Sequence, residues 1–343
     1  MIDFAPPRAV LAIVVSRIGD TLLATPALRA IAVAWRDAKL TCLAHPKRAE
    51  VLRNLPFLHH RVGVITKNRA RLLGRISRQR YDLAFVYGHD RPLVEYALRV
   101  ARRVVAFDQA DEEVNRRLYR AVALPEHQKL HAVRYRLALL APLGIAAQGL
   151  ALSYRVSDAE TRWALHRLRS QYAAACRPLI GLQIASFPTK AYRDWPIEHF
   201  IDLCRRIRSH HPSAHFLIFG GKLERERTQR LHKELRGFST HYAGRLSLRQ
   251  TAALMNELDL YVGVDTGPTH IMGALHRPMV ALYHGYSPSW LLAPLEHPCL
   301  YVVDHPQAGP KCSPDASMAA ISVDQVWLRA AEALERHFAT AER

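Results

Sequence analysis

The sequence predicts an α/β protein made of two successive units, each a parallel sheet with helices on both faces. Three observations carry this. Short apolar strands alternate with helical patterns through both halves of the chain. The length, 343 residues, is enough for two domains of ordinary size. Two of the strands, one near each end of the chain, run through tight turns into helices, as strands of doubly wound sheets do.

The elements follow in order. Val10 to Val15 is the first strand, and Leu22, Leu23, Ala27, Leu28 and Ile31 keep helical spacing after it. Leu40 to Ala44, Val62 to Ile65, Leu83 to Val86 and Arg103 to Ala106 are further strands, with a basic helix from about Arg69 to Arg78 among them. Leu143 to Tyr154 lacks periodicity and reads as a link, so the first domain is expected over 1–155. Ser157 and Asp158 cap a helix to about Tyr172. Leu179 to Ile184 is a strand, and Pro196 opens a helix through about Ser209. Ala214 to Phe219 is a strand ending in Gly220-Gly221, followed by a charged helix from Glu224 to about Leu235. A helix from Leu248 to Glu257, the strand Leu258 to Val264, a helix, and the strand Met279 to Tyr283 complete the second domain, 156–322. Val323 to Phe338 is a terminal helix within 323–343. No G-x-G-x-x-G fingerprint occurs, which argues against a dinucleotide dehydrogenase.

Two segments carry chemistry. In VDTGPTHIMGAL, Val264 to Leu275, Thr266 can cap a helix, Gly267 permits close approach of backbone to ligand, and Pro268 suits the first helical position. Free N–H groups at such a helix start, backed by its dipole, bind phosphate. The plain alternative is an ordinary strand-to-helix turn. In SRIGDTLLATPALRAI, Ser16 to Ile31, Gly19 permits the turn and Asp20 stands at the mouth of the helix. Asp20 is either a helix cap or a general base at the carboxyl end of a strand. His59-His60 and His210-His211 have no further ligand set near them in sequence and read as surface residues.

Together these segments resemble glycosyltransferase family 9, the ADP-heptose:lipopolysaccharide heptosyltransferases. Arg17-Ile18-Gly19-Asp20-Thr21-Leu22 with Pro26-Ala27-Leu28 matches the opening motif of the family. Asp265-Thr266-Gly267 with His270 matches its D-T-G-x-x-H, and GLQIASFPTKAYRDWPIEHF, Gly181 to Phe200, matches the loop between them. The resemblance spans about the whole chain. It implies the GT-B arrangement, two Rossmann-like domains facing a cleft, with the terminal helix packing back on the first domain. It implies an inverting transferase that moves heptose from ADP-heptose to a sugar of the Kdo- and heptose-containing lipid A core. Asp20 would be the base, with Arg17 and Gly19 beside the acceptor. Thr266 and Gly267 would hold the diphosphate, Asp265 would orient donor hydroxyls, and His270 would be a ligand or a packing residue. Ser186 and Thr189 could reach phosphate oxygens, and Glu224 the ribose. Arg193 stands where the family has Lys, and Lys190 lies three residues earlier, so either meets the diphosphate. The resemblance implies no metal and no cofactor, and no Asp-x-Asp motif appears. Cys312 remains of a cysteine-rich patch common in the family, with Ser317 in place of a second cysteine. Two other readings stay open: a same-family transferase with another nucleotide-hexose donor, and a non-catalytic polyanion-binding protein on this scaffold.

Composition adds a partner. Lys and Arg number 48 against 30 Asp and Glu, a formal charge of +18. Such an excess bears on binding polyanions, not on fold. Lys67, Arg69, Arg71, Arg75, Arg78 and Arg80 form the densest cluster, and Arg71, Arg75 and Arg78 share a helix face by spacing. No zinc finger, RNA-recognition signature or aromatic stacking run accompanies them, so nucleic acid is not the expected partner. Lys67, Arg69 and Arg71 are candidates for the anionic acceptor, and the cluster for peripheral contact with the inner membrane; a solvated helix face is the plain alternative. No apolar run approaches the ~20 residues of a membrane span. The N-terminal stretch lacks a basic leader, and the five scattered cysteines suit a reducing, cytoplasmic setting.

Overall fold

The computed structural model describes residues 4–58, 62–76, 78–124, 126, 129–171 and 176–338. His59, His60, Tyr172 and the side chain of Arg75 lie outside them. The chain divides into two compact units, Met1–Arg155 and Val156–Arg343.

The first unit runs β1 (Ala9–Val14), α1 (Ile18–Leu23), α2 (Thr25–Ala34), β2 (Lys39–Ala44), β3 (Val62–Val64), α3 (Lys67–Ile76), β4 (Tyr81–Val86), α4 (Arg91–Val100), β5 (Ala101–Phe107), α5 (Glu112–Arg117), β6 (Arg120–Val122) and α6 (Ala132–Leu137). Its strands pair in parallel in the order β3-β2-β1-β4-β5-β6. The central strands are apolar on both faces because helices cover both. Leu11, Ile13, Ala84 and Val86 meet α3 and α4 residues in one buried cluster, while Trp35 stacks on Phe85.

The second unit runs α7 (Asp158–Gln171), β7 (Leu179–Gln183), α8 (Ile197–His210), β8 (His215–Ile218), α9 (Arg225–Glu234), β9 (Ser239–His241), α10 (Leu248–Met255), β10 (Leu260–Val264), α11 (Gly267–Leu275), β11 (Met279–Tyr283), α12 (Ser289–Leu292), β12 (Leu300–Asp304) and α13 (Val323–His337). The sheet order is β12-β11-β10-β7-β8-β9, again all parallel. Numbered within its own unit, it repeats the first sheet. In both, the order in which successive strands are added reverses between the first and fourth strands: β1 and β4, β7 and β10. Ligands of open α/β sheets bind at the carboxyl ends of such a strand pair.

Several expectations need correcting. The first helix is broken. Pro26 offers no N–H and its ring would clash with the carbonyl four residues back, so α1 ends and α2 begins around Ala24. Gly19 is not the turn residue; it lies buried inside α1, and the turn precedes it at Ser16 and Arg17. Pro268 occupies the second position of α11, not the first. The sequence reading omitted β6, β9 and β12. Two of these have only three residues, and β12 shows the alternating burial of an edge strand. The link is docked, not free. Arg29 donates to the carbonyls of Gln148 (2.9 Å) and Ala151 (2.8 Å) and to Ser153 Oγ (2.9 Å). The terminal helix, for which the resemblance implied packing on the first domain, buries Val326, Trp327, Ala330 and Leu334 in the core of the second unit, against α8 and β11.

Candidate functional site

In the first unit, Asp20 lies in the first turn of α1, just beyond the end of β1. The N-cap is Arg17, and no side chain bonds the first-turn N–H groups, so Asp20 is not a cap. Its carboxylate accepts instead from Arg136 Nη2 of α6 at 2.9 Å and remains 40% exposed, against 13% for Arg136. Arg136 is itself anchored, donating to Ala132 O at 2.7 Å. The neighbouring residue, Tyr135, bonds His89 just after β4 at 3.0 Å and stacks on Phe107. A short helix with no motif thus fixes both sides of the β1–β4 switch point. Arg17, Arg69 and Arg71 are exposed. Lys67 is engaged, its Nζ 2.5 Å from Asp90 at the N-cap of α4.

In the second unit, three loops meet at the carboxyl ends of β7, β10 and β11. Asp265 follows β10 and is buried. Arg193 Nη1 lies 2.6 Å from its Oδ2, and His270 Nε2 lies 3.4 Å from its Oδ1. Burial alone would raise the Asp265 carboxyl, but the His270 hydrogen bond and the Arg193 charge outweigh it and hold it below the ordinary carboxylate value. Both oxygens are therefore engaged within the protein, contrary to a direct role on donor hydroxyls, and His270 serves this carboxylate. Thr266 is the N-cap of α11 but makes no side-chain cap bond. The first-turn N–H groups of Gly267 and Thr269 are left for a ligand, at the positive end of the helix.

The β7 loop supplies cations. Lys190 and Arg193 both lie over the Tyr192 ring, at 5.4 and 5.5 Å from its centroid. Arg193 is neutralised by Asp265, whereas Lys190 pairs with no carboxylate among the described residues. Tyr192 packs edge-on to His284 after β11. Ser186 is not open to phosphate: it is buried, and its one hydroxyl proton is shared between Asp194 Oδ1 and Lys190 O, each 2.6 Å from Oγ. Asp194 also accepts from Ser186 N at 2.7 Å and pairs with Arg227 of α9, which reaches Ser186 O as well. Burial raises the Asp194 carboxyl pKa, against the lowering effect of these bonds. Thr189 is exposed. Glu224 is buried, and its Oε2 accepts from Gly221 N at 2.7 Å, closing the turn before α9. Beside this loop opens a cavity of about 1130 Å³, lined by residues including Trp195, Lys222, Leu223, Glu226, Arg227 and Ser317.

Among the described residues no group of three His, Cys, Asp or Glu side chains is placed to hold a metal ion. His284 and His305 do come near each other, but their Nε2 atoms bond the carbonyls of Ala316 and Ser317, at 2.7 and 3.1 Å. The sequence reading missed Arg136, Tyr192, Asp194, Arg227 and His284. Only Tyr192 and Asp194 had a signal, their place inside the matched loop.

The family model for glycosyltransferase family 9 (heptosyltransferase) matches residues 70–320. The chain belongs to glycosyltransferase family 9. It is a glycosyltransferase of the GT-B class, each unit carrying one of the two parallel sheets. Lipopolysaccharide heptosyltransferase 3 of Escherichia coli is 22% identical over 282 residues, 77% of this chain and 80% of that protein. The lipopolysaccharide core heptosyltransferase OpsX of Haemophilus influenzae is 28% identical over 137 residues, 39% of this chain, which spans only 40% of the length of OpsX. The solved E. coli ADP-heptose lps heptosyltransferase II shares the fold with TM-score 0.78 at 20% identity, covering 96% of this chain and 99% of that one. In this member of family 9 the Asp-Thr-Gly segment and the Gly-Asp segment stand at equivalent switch points of the two sheets.

Proposed function

We propose that this family 9 enzyme is an inverting heptosyltransferase of lipopolysaccharide core assembly. It takes heptose from ADP-heptose and passes it to a Kdo- or heptose-bearing sugar of the lipid A core. The observation that carries this reading is the uncapped start of α11 at the β7–β10 switch point, reached from the β7 loop by Arg193 on Asp265, with Lys190 in the same loop paired with no carboxylate among the described residues. That arrangement suits a diphosphate leaving group, whose growing charge needs N–H donors and a cation.

The residues divide the work as follows. The N–H groups of Gly267 and Thr269 and the ammonium of Lys190 hold the diphosphate. Arg193, Asp265 and His270 form a buried support that fixes the β7 loop against α11. The nucleoside end lies in the cavity beside Leu223, where Glu226 offers an exposed carboxylate and Glu224 does not. Asp20 takes the proton from the acceptor hydroxyl as it attacks, and Arg136 orients its carboxylate. Attack on the face opposite the diphosphate inverts the anomeric carbon. Arg17, Arg69 and Arg71 are exposed cations suited to an anionic acceptor. Among the described residues no helix is long and apolar enough to cross a membrane. In this reading the enzyme works from the cytoplasm, peripherally on the inner membrane.

The test compares two observables. Asp20→Asn should lower heptose transfer by ~100-fold or more while the rise in melting temperature caused by ADP stays at the wild-type value. UDP and GDP should stabilise less than ADP, with no divalent metal added. Near-normal transfer by the variant removes Asp20 as base. A preference for UDP moves the donor to another nucleotide sugar.

A further inference from the structure

Helix α3 presents an aliphatic ridge to solvent that its own unit leaves uncovered. Leu72 and Ile76 are 63% and 73% exposed. Four residues apart, they stand one above the other on one helix face. Ala70, on the opposite side, is the residue buried in the core of the unit. Val64, at the end of edge strand β3 and three residues before α3, is 46% exposed as well. The segment is one-signed: residues 67 to 80 hold no acidic residue and six cations, of which Lys67 alone is seen paired, with Asp90, among the described residues. Arg69, three residues before Leu72, falls beside it on the ridge face, and Arg69, Arg71 and Arg78 are exposed.

We propose that α3 is an interfacial anchor: Leu72 and Ile76 enter the acyl boundary of an anionic bilayer while Arg69, Arg71 and Arg78 meet lipid phosphates. A helix of this kind lies in the plane of the interface, apolar ridge down, with long basic side chains extending toward the headgroups. An anionic leaflet is the partner that uses both halves of the pattern, since each basic residue near it adds attraction and the aliphatic pair gains by leaving water. A polynucleotide or a free sugar phosphate would answer the arginines and leave the ridge in water. A second copy of this face would bring six cations against six. The inference deepens the proposed function by naming what holds the enzyme near a lipid-anchored acceptor. It rests on that reading for its purpose, but not for the binding itself.

The experiment is co-sedimentation of the full chain with phosphatidylcholine vesicles, plain or mixed with phosphatidylglycerol. Wild type should partition onto the mixed vesicles and not the plain ones. Leu72→Ser/Ile76→Ser should lose at least about tenfold in partitioning at any salt concentration, because the loss is apolar. It should keep its melting temperature, since both side chains are solvent-exposed, and its ADP-induced stabilisation. Arg69→Glu/Arg71→Glu should lose binding at low salt, with the difference shrinking as salt screens the charges. A serine variant that binds mixed vesicles as wild type does reduces α3 to an electrostatic patch and overturns the anchor. Wild type that ignores mixed vesicles overturns it too, while intact ADP binding in the same preparation leaves the transferase reading standing.

Discussion

Replacing Arg193 by Met removes a guanidinium from a carboxylate that has almost no access to water. Asp265 is 1% exposed and Arg193 20% in their side chains, with 2.6 Å between them. Deleting one partner of a buried pair costs ~3–5 kcal/mol because the other charge is left uncompensated. Two features reduce this. His270 still faces the carboxylate at 3.4 Å, and the Arg193 side admits some water, so roughly 2–3 kcal/mol is expected. Met keeps an aliphatic stem of similar length, while the guanidinium contacts with the Tyr192 ring and hydroxyl are lost with the charge. For a unit of this size each kcal/mol shifts the melting temperature by ~2–4 °C, giving a fall of roughly 4–12 °C at pH 7.5. The pH dependence carries a sign. In wild type the folded pKa of Asp265 lies below its unfolded value, so it stabilises above ~4 and that stability is lost as pH falls through the lower folded value. In the variant, burial dominates and the folded pKa moves above the unfolded one. The gap between variant and wild type should then be widest near neutrality, narrow as pH falls toward ~4, and close only below the wild-type folded value. Asp265→Asn added to Arg193→Met should recover part of the loss. Calorimetry across pH is the assay. A shift under 1 °C at pH 7.5, or a gap that widens on acidification, would refute the reasoning.

Three further outcomes are expected. Lys190→Ala should weaken ADP by roughly 10–100-fold, the value of one charge-assisted contact, with the melting temperature of the free protein unchanged; titration calorimetry reads the first and scanning calorimetry the second. Burial, with Arg208 and His232 adding to it, pushes His215 down to about 4, and burial with His232, Arg245 and Arg225 does the same to His241. Both fold neutral, so their stabilisation is complete above the unfolded value of ~6.5 and is lost between there and about 4, roughly 1–3 kcal/mol each. Urea unfolding of wild type should weaken over that window, and His215→Asn/His241→Gln should flatten the slope. Gly273→Ala places a methyl 2.2 Å from Pro294 Cγ, a rigid ring that cannot swing away. The clash should outweigh the helix preference for Ala and cost ~1–2 kcal/mol, visible as a lower melting temperature.

By itself the sequence determined the α/β class, most central strands, and the two segments that end at the switch points. Those features are written locally. A strand buried on both faces must be apolar throughout, and a tight strand-to-helix turn draws on residues such as Gly, Thr and Pro within a short span. Met279–Tyr283 was legible to the residue because nothing polar interrupts it. The short edge strands β6 and β9 were not, since their ladders are made by neighbours and not by their own composition, whereas the equally short β3 was legible from its valines. Tertiary structure alone decided what each candidate side chain touches. Asp20 and Arg136 are 116 residues apart in sequence, and Arg193 and Asp265 are 72 apart. Ser186, Glu224 and Asp265 looked like ligand contacts because their types and places fit, yet each is buried and bonded to a neighbour the sequence does not name. Lys190 and Arg193 flank the same Tyr192 ring, but among the described residues only Arg193 has a carboxylate opposite it. Pattern fixes where a chain can bind an anion, but which charge is free to do so depends on pairing in three dimensions.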